Sequence, residues 1–384
     1  MKLTLDNIHG QPSYSIRSDK IEAHVTKLAG MLGPVTFDLG KKKAAPFSVA
    51  PWALNDETID PNLPPLLHAL RGDFFCLPFG GNETSYRGEH HPPHGETANA
   101  NWLGKKLTST DGQHDLHLQL KTKVRSGLVD KHIHLRDGHD AIYQRHVISS
   151  MNGAMPLGHH AMLKFPESPG SGRISTSGFI HGQILPFPFE NPESGGYHTL
   201  RPDATFRSLK KVPLHCGGTT DLTSYPARRG FDDLALLVNK PGDFAWTAVA
   251  FPKERYVYFA LKDPRVLAST VLWMSNAGRH YHPWNGRHES VLGIEDVTAY
   301  YHIGLAESVK KNPLLDKGIS THIQLRSRTP FTVNHILGMT NIPPGFDIVK
   351  TLKPINGNSI QITSESGKQV TAKVDSSFLY ESGT

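Results

Sequence analysis

Residues 244–262 read FAWTAVAFPKERYVYFALK, in which two short apolar runs flank a polar turn. The runs at 244–251 and 256–262 have the length of strands and are rich in aromatic and β-branched residues. Apolar runs of this length, separated by proline and charged residues, predict two β-strands.

The same pattern recurs along the chain as short alternating or β-branched segments bounded by Gly, Pro, Asn and Asp. These segments are 115–124, 131–135, 141–149, 173–184, 234–239, 269–274, 321–333 and 359–374. One helix is predicted at 305–312, where good helix formers precede Pro313. Because helices do not alternate with strands and no fixed-period repeat occurs, the pattern favours one large all-β body over a wrapped parallel sheet, a propeller or a solenoid.

Three Pro- and Gly-rich stretches, at 60–65, 89–95 and 185–196, interrupt the strand pattern. None is followed by a change in composition, so we interpret them as long loops over a sheet face and not as linkers. Residues 1–384 are therefore expected to form a single domain.

Charge and targeting signals limit the classes of partner. The formal net charge is +6, but the lysines and arginines are scattered among acidic residues, which does not indicate nucleic-acid binding. The N-terminus lacks the pattern of a signal peptide, and no stretch approaches the roughly 18 apolar residues of a membrane span. Cys76 and Cys216 share no metal-ligand spacing. We expect a cytoplasmic protein with reduced thiols, a monomer or homodimer that binds neither nucleic acid nor membranes.

Three segments, 72–102, 156–166 and 275–296, are richer in His, Trp, Asn and Glu than strand propensity explains. The second contains the pair His159-His160, and the third ends in Leu292-Gly293-Ile294-Glu295. The first contains, in order, Cys76-Leu77-Pro78-Phe79-Gly80, His94-Gly95, Asn99 and Trp102.

The order of these elements resembles the galactose mutarotase-like proteins, in particular the aldose 1-epimerases and their branch that acts on hexose 6-phosphates. The resemblance covers about residues 74–300. That family carries a histidine on a central strand, and His160 is the best match, with His159 one residue out of register. Only one of the two is expected to point into the site, because adjacent strand residues face opposite sides. The third segment is similar to the strand that carries the family's catalytic glutamate, here Glu295.

The resemblance implies an all-β supersandwich and an aldose 1-epimerase that acts on a monosaccharide or sugar derivative without a cofactor or metal. It implies Glu295 as the base that takes the C1 hydroxyl proton and His160 as the acid that protonates the ring oxygen. His94 would bind a hydroxyl or stabilise charge on the ring. A carboxylate and an imidazole beside the reacting carbon can supply both proton transfers near neutral pH.

Further residues of the chain are candidates for sugar binding. Trp284 or Trp102 is expected to stack on the apolar face of the pyranose. Asn82 and Arg279 suit hydroxyl binding, although side-chain capping of turns explains them equally well. The candidates for binding polar groups of the sugar are Asn82, Asn99, His159, Asp232, Asp233 and Arg279.

One departure from the family pattern concerns phosphate. The hexose-phosphate branch has an arginine shortly after its histidine-glycine pair, whereas this chain has Glu96, Thr97 and Ala98 before Asn99. The missing guanidinium removes a bidentate phosphate ligand, so an unphosphorylated or unusual aldose is expected. The other arginines that would compensate are Arg87, Arg279 and Arg287.

Three alternatives stay open. The first alternative is a carbohydrate-binding or sensing protein that has lost the epimerase chemistry. The second is a lyase- or hydrolase-related module, because a fold does not fix a reaction. A metal site is the third alternative, although its histidines lack an established ligand spacing. Its candidate ligands are His90, His91, His94, His280, His282 and His288.

Overall fold

The structure, a computed structural model, describes residues 3–55 and 57–382. The helices of these ranges are short: α1 (Pro51–Leu54), α2 (Pro65–Ala69) and α3 (Leu305–Val309), with 3₁₀ turns at Glu96–Ala98, Pro192–Ser194, Leu315–Lys317 and Ser376–Tyr380. None of the helices in the described ranges is long and apolar enough to cross a bilayer.

The strands account for most of the regular structure. In chain order they are β1 (Asp6–Ile8), β2 (Gln11–Arg17), β3 (Ile21–Thr26), β4 (Leu32–Asp38), β5 (Lys43–Ala44), β6 (Phe75–Cys76), β7 (Leu103–Thr110), β8 (Gln113–Thr122), β9 (Gly127–Arg136), β10 (Ala141–Ser149), β11 (Gly153–Met155), β12 (Leu157–Lys164), β13 (Gly172–Thr176), β14 (Phe179–Ile184), β15 (Thr205–Phe206), β16 (Val212–Pro213), β17 (Thr219–Thr220), β18 (Ser224–Tyr225), β19 (Phe231–Asn239), β20 (Ala245–Phe251), β21 (Tyr256–Lys262), β22 (Ser269–Asn276), β23 (Val291–Thr298), β24 (Ile323–Leu325), β25 (Phe331–Asn341), β26 (Val349–Asn356), β27 (Ser359–Ser364) and β28 (Gln369–Lys373).

Two large antiparallel sheets form the body of the protein. The seven-stranded sheet has the order β15-β14-β19-β22-β23-β12-β6, and the nine-stranded sheet has the order β18-β13-β20-β21-β25-β10-β9-β8-β7. Apolar side chains from both sheets, such as Ala161 and Ile294 from the first and Ile133 and Leu337 from the second, belong to one hydrophobic cluster. The two sheets therefore pack face to face around the main core.

The burial of each strand follows from what covers its two faces. Along β9, buried and half-buried residues alternate strictly, because one face of the strand packs in the core and the other meets partial solvent. All residues of β22 and β23 are buried. Their outer face is covered by a second hydrophobic cluster that includes Trp52 of α1 and Leu66 of α2.

Smaller sheets cover the outside of the sandwich. Strands β1 to β5 form a five-stranded sheet, and β26 to β28 form a three-stranded sheet near the C-terminus. The latter packs Ile360 and Ile362 in one cluster with Trp246, Phe259 and Ile336 of the nine-stranded sheet. The outer face of β20, β21 and β25 is thereby protected from solvent.

The all-β prediction is confirmed, and the predicted strands at 141–149 and 256–262 match β10 and β21 residue for residue. The structure corrects four other segments. The segment 321–333 spans β24 and the start of β25, which belong to different sheets. The segment 173–184 is two strands in different sheets, β13 and β14, and 359–374 is the hairpin β27–β28. The predicted helix ends early, because Lys310 is already extended. Short turns inside a strand-like run leave little trace in composition, so sequence reading merged the strands on either side.

Candidate active site

A cavity of about 200 Å³, open to solvent, lies on the outer face of the seven-stranded sheet. Its wall is mostly apolar and includes Leu66, Phe74, Leu234, Trp273 and Trp284. The polar side chains that line it are His94, His160, Arg279, Glu295 and His302. The cavity therefore combines a large apolar surface with a small set of titratable groups, as ligand sites commonly do.

The central pair of this cavity is brought together by strand register. Strands β12 and β23 run antiparallel, and His160 is the cross-strand partner of Glu295. Side chains alternate between faces, so His160 and Glu295 point to the cavity whereas His159 and Asp296 point into the sandwich. His160 Nε2 lies 3.4 Å from Glu295 Oε1.

Packing fixes the orientation of the His160 ring. The ring stacks on Phe74, with centroids 4.6 Å apart, and meets the edges of His94 and Trp273. The backbone N–H of His160 donates to the carbonyl oxygen of Phe74. Nε2 is thereby directed at the Glu295 carboxyl group before any ligand enters.

Burial controls the protonation of the pair. Loss of solvent raises the pKa of Glu295 to about 8, although the positive charge of Arg279 opposes the shift. The same loss of solvent, with His94 nearby, lowers the pKa of His160 well below its ordinary value. At neutral pH the resting pair is a protonated carboxyl facing a neutral imidazole, and it holds one acidic proton in total.

Arg279 forms one wall of the cavity with its charge already compensated. Its Nε donates to Glu190 Oε1 at 2.6 Å and lies 3.5 Å from Asp232 Oδ2. The guanidinium also lies over the rings of Trp273 and Trp284, about 5 Å from each centroid. The arginine is therefore held rigidly in place and its charge is balanced by carboxylates.

Asp232 supports this wall from behind. Its Oδ1 accepts from the backbone N–H groups of Asn276 and Gly278, and its Oδ2 accepts from Trp273 Nε1 at 3.2 Å. Burial raises the pKa of Asp232 to about 6, against the opposing effect of Arg279. Asp232 is not part of the cavity lining, and its contacts place it behind Trp273 and Arg279.

Two further histidines complete the polar lining. The expected residue His94 lies edge-on to His160, and burial lowers its pKa to about 4. His302 was missed by sequence reasoning, because it follows the third histidine-rich segment in a loop with no recognisable pattern. Burial lowers the pKa of His302 to about 3. Both imidazoles are therefore neutral at pH 7 and can donate or accept one hydrogen bond at each nitrogen.

The two asparagines expected to bind sugar hydroxyls, Asn82 and Asn99, lie outside the cavity lining. The amide nitrogen of Asn82 donates to the carbonyls of Pro78, Gly80 and Pro92, and its oxygen accepts from the N–H of Leu305. The side chain of Asn99 has the same kind of partners, accepting from the N–H of Leu66 and donating to the carbonyls of Pro93 and Gly95. Both side-chain amides are hydrogen-bonded to backbone groups, and these hydrogen bonds hold the loop that carries His94.

Three other expected residues also face away from the cavity. His159 points between the sheets, where its Nδ1 lies 2.8 Å from Asp73 Oδ2. Asp233 accepts hydrogen bonds from the backbone N–H groups of residues 199 and 200. Trp102 is buried, with its N–H donated to the carbonyl of Thr97. Of the two expected tryptophans, only Trp284 lines the cavity.

The histidines of the metal alternative are not assembled with one another. Within residues 3–55 and 57–382, groups of three candidate ligand side chains occur at Asp73, His159 and His335 and at Asp115, His132 and His134. Neither group contains a histidine from the 90–94 or 280–288 loops. The arginines considered for phosphate are also dispersed, since Arg287 pairs with Glu57 at the surface.

Comparison with known proteins bears on the fold. No protein-family model matches this sequence, and no curated protein matches it. Among solved structures, a candidate aldose 1-epimerase from Klebsiella pneumoniae is similar, with a TM-score of 0.60, 12% identity and coverage of 86% of this chain and 80% of that one. A candidate mutarotase from Salmonella typhimurium has a TM-score of 0.57, 10% identity and coverage of 88% and 94%. A galactose mutarotase-like protein from Clostridium acetobutylicum has a TM-score of 0.55, 11% identity and coverage of 89% and 99%. The chain therefore has the galactose mutarotase-like fold, as its sequence predicted, and the hexose-6-phosphate branch stays a prediction.

Proposed function

We propose that this chain, which has the galactose mutarotase-like fold, is an aldose 1-epimerase that interconverts α and β anomers by acid–base ring opening. The observation that carries the proposal is the buried pair of His160 and Glu295, 3.4 Å apart and directed into a cavity. Similar solved structures named as candidate epimerases and mutarotases support the same assignment.

The reaction needs one proton removed and one proton delivered. The C1 hydroxyl loses its proton while the ring oxygen gains one, and the bond between C1 and the ring oxygen breaks. Rotation about C1–C2 and closure on the other carbonyl face give the other anomer. Both oxygens are bonded to C1, so two side chains whose nearest atoms are 3.4 Å apart can contact both at once.

The number of protons on the pair suits this exchange. The family resemblance assigns Glu295 as base and His160 as acid, whereas burial favours a resting proton on Glu295. The two forms hold the same single proton and differ only by its transfer between Oε1 and Nε2. We propose that this one-proton state is the active state, and that the sugar decides which group donates.

The cavity wall suits a pyranose without a phosphate group. Trp273 and Trp284 offer apolar surface to the C–H groups of the sugar, and His94 and His302 offer neutral hydrogen-bonding groups to its hydroxyls. Arg279 is already balanced by Glu190 and Asp232. A phosphate would have to compete with these carboxylates, which supports an unphosphorylated aldose as substrate.

The test is polarimetric measurement of mutarotation with purified protein and a panel of free aldoses and their 6-phosphates. We expect the protein to accelerate the mutarotation of a free aldose and to act poorly on its 6-phosphate. If the protein accelerated the mutarotation of the 6-phosphates alone, the substrate assignment would be contradicted. Binding of sugars with no acceleration of any of them would instead identify the chain as a carbohydrate-binding protein.

A further inference from the structure

A second group of convergent polar side chains lies on the opposite side of the sandwich from the cavity. It consists of Asp115 on β8 and of His132 and His134 on β9, here called the triad. Ile133, between the two histidines, packs in the core between the sheets. The triad therefore faces outward from the nine-stranded sheet, with its side chains 24% to 27% exposed.

Strand register creates this convergence. His132 and His134 are two residues apart on one strand and share a face, and Asp115 is the cross-strand partner of His134. Asp115 Oδ1 lies 3.1 Å from His132 Nδ1 and 3.0 Å from His134 Nδ1. Two imidazole nitrogens and one carboxylate oxygen are thus directed at one small volume.

We propose that Asp115, His132 and His134 bind a divalent transition-metal ion, with Zn²⁺ as the best-suited common ion. Zinc bonds of about 2.0–2.2 Å to nitrogen and oxygen in a tetrahedron place neighbouring ligand atoms about 3.4 Å apart. The two oxygen-to-nitrogen spacings of 3.0 and 3.1 Å approach that value, and the two imidazole nitrogens lie within 4.8 Å of each other. Two imidazoles with one carboxylate form a usual donor set for such ions, and the partial exposure leaves the fourth position to water.

The surroundings hold the triad in place. The ring of His117 stacks on His132 with centroids 4.3 Å apart, and its Nε2 lies 2.7 Å from Asp130. The ring of Phe378 meets His134 edge-on. These contacts restrict the rotation of both ligating rings, which lowers the ordering cost of binding.

A nearby positive charge does not prevent cation binding. Arg145, the cross-strand partner of His132 on β10, places a positive charge near the triad. Its guanidinium donates to Asn334 Oδ1 and to the carboxylate of Glu381. The charge of Arg145 is thus partly balanced by the carboxylate of Glu381.

The test measures Zn²⁺ binding to the full chain by calorimetry, with zinc chloride as the titrant. The variants are Asp115→Asn, His132→Gln and His134→Gln. His114→Gln is the matched control, because His114 also pairs with an aspartate at the surface near the triad, namely Asp137. That pair contains one histidine where the triad contains two. Circular dichroism establishes that each variant is folded.

We expect one Zn²⁺ per chain, at least tenfold weaker binding in each triad variant, and wild-type binding in the control. X-ray absorption of the zinc-loaded wild type should detect two imidazole ligands and no sulfur, a result that does not depend on any variant folding. Wild-type affinity in the triad variants, or a zinc ligand set with sulfur, would overturn the proposal. Mutarotation is expected to be the same in all of these proteins, so this test is independent of the proposed enzyme activity.

Discussion

At the level of single residues, His160 and Glu295 stand out because two titratable groups share a mostly apolar cavity with a single proton between them. Burial raises the pKa of the Glu295 carboxyl and lowers that of the His160 imidazole, so each keeps its neutral form in the resting protein. Perturbed pairs of this kind are typical of groups that exchange protons with a substrate.

The first prediction concerns the loss of one group of the pair. Glu295→Gln keeps the shape of the side chain but cannot exchange a proton, so kcat of mutarotation should fall about a hundredfold to ten-thousandfold while sugar binding persists. His160→Asn should act similarly. Because the two groups serve one cycle, the double variant should be little slower than the slower single variant. The measurements are polarimetry for rate and calorimetry for binding.

The matched control is Glu289→Gln, which changes a nearby glutamate that pairs with Arg229 outside the cavity. It should keep the wild-type rate. Equal rates in Glu289→Gln and Glu295→Gln would remove Glu295 from the mechanism.

The second prediction is the pH dependence of kcat. The pKa of Glu295 is raised to about 8, so the pair keeps its proton below that pH and loses it above. The rate should therefore decline as the pH rises through about 8. The lowered pKa of His160 keeps its ring neutral through pH 6 to 7, where the rate should stay flat. A rate that rises through pH 8 would mean that the deprotonated pair is the active form.

Sequence reasoning reached these residues unevenly. The alternation of side chains along a strand allowed His160 and His159 to be assigned to opposite faces, and the structure has that arrangement. The surroundings of Asn82 and Asn99 could not be predicted in the same way. Their partners are backbone groups of distant segments, which composition and spacing do not reveal.

At the level of elements, the conformation of the loop that carries His94 depends on hydrogen bonds from side chains, in place of the backbone hydrogen bonds of a helix or sheet. This loop has little regular structure of its own apart from one 3₁₀ turn. Asn82 ties it to the first residue of α3, and Asn99 ties it to α2. The geometry of one wall of the cavity is therefore set by two amides that do not line it.

The third prediction tests this role. Asn82→Ala removes the partner of the buried N–H of Leu305, and leaving such a group unpaired should lower the free energy of unfolding by about 1–3 kcal/mol. Chemical denaturation measures the change. Asn285→Ala is the control, because Asn285 is exposed and also has a positive φ, at 47° against 57° for Asn82. An equal loss in both variants would assign the effect to backbone conformation alone.

At the level of the whole molecule, each large sheet contributes to more than one hydrophobic cluster. The nine-stranded sheet packs one face on the seven-stranded sheet and the other on β26 to β28. The seven-stranded sheet packs its outer face under α1 and α2. Each large sheet is thus common to two hydrophobic clusters. Removing the elements that cover one face of a sheet would expose apolar surface on that sheet.

The fourth prediction follows for residues 1–384, which we expect to unfold as a single domain. Circular dichroism and tryptophan fluorescence should report the same midpoint in denaturant, since the tryptophans lie in all three hydrophobic clusters. Two separated transitions would contradict the expectation of one domain.

The three Pro- and Gly-rich loops described at the outset have a consequence for protein engineering. Each supplies part of the cavity wall, through Pro64, Pro93 with His94, and Phe189. His160 and Glu295 instead lie on β12 and β23. A one-residue insertion in either strand would turn the neighbouring residue, His159 or Asp296, toward the cavity and separate it from its buried partner, Asp73 or Lys262. A library that aims at new sugar preferences should vary loop length and composition and leave the two strands untouched.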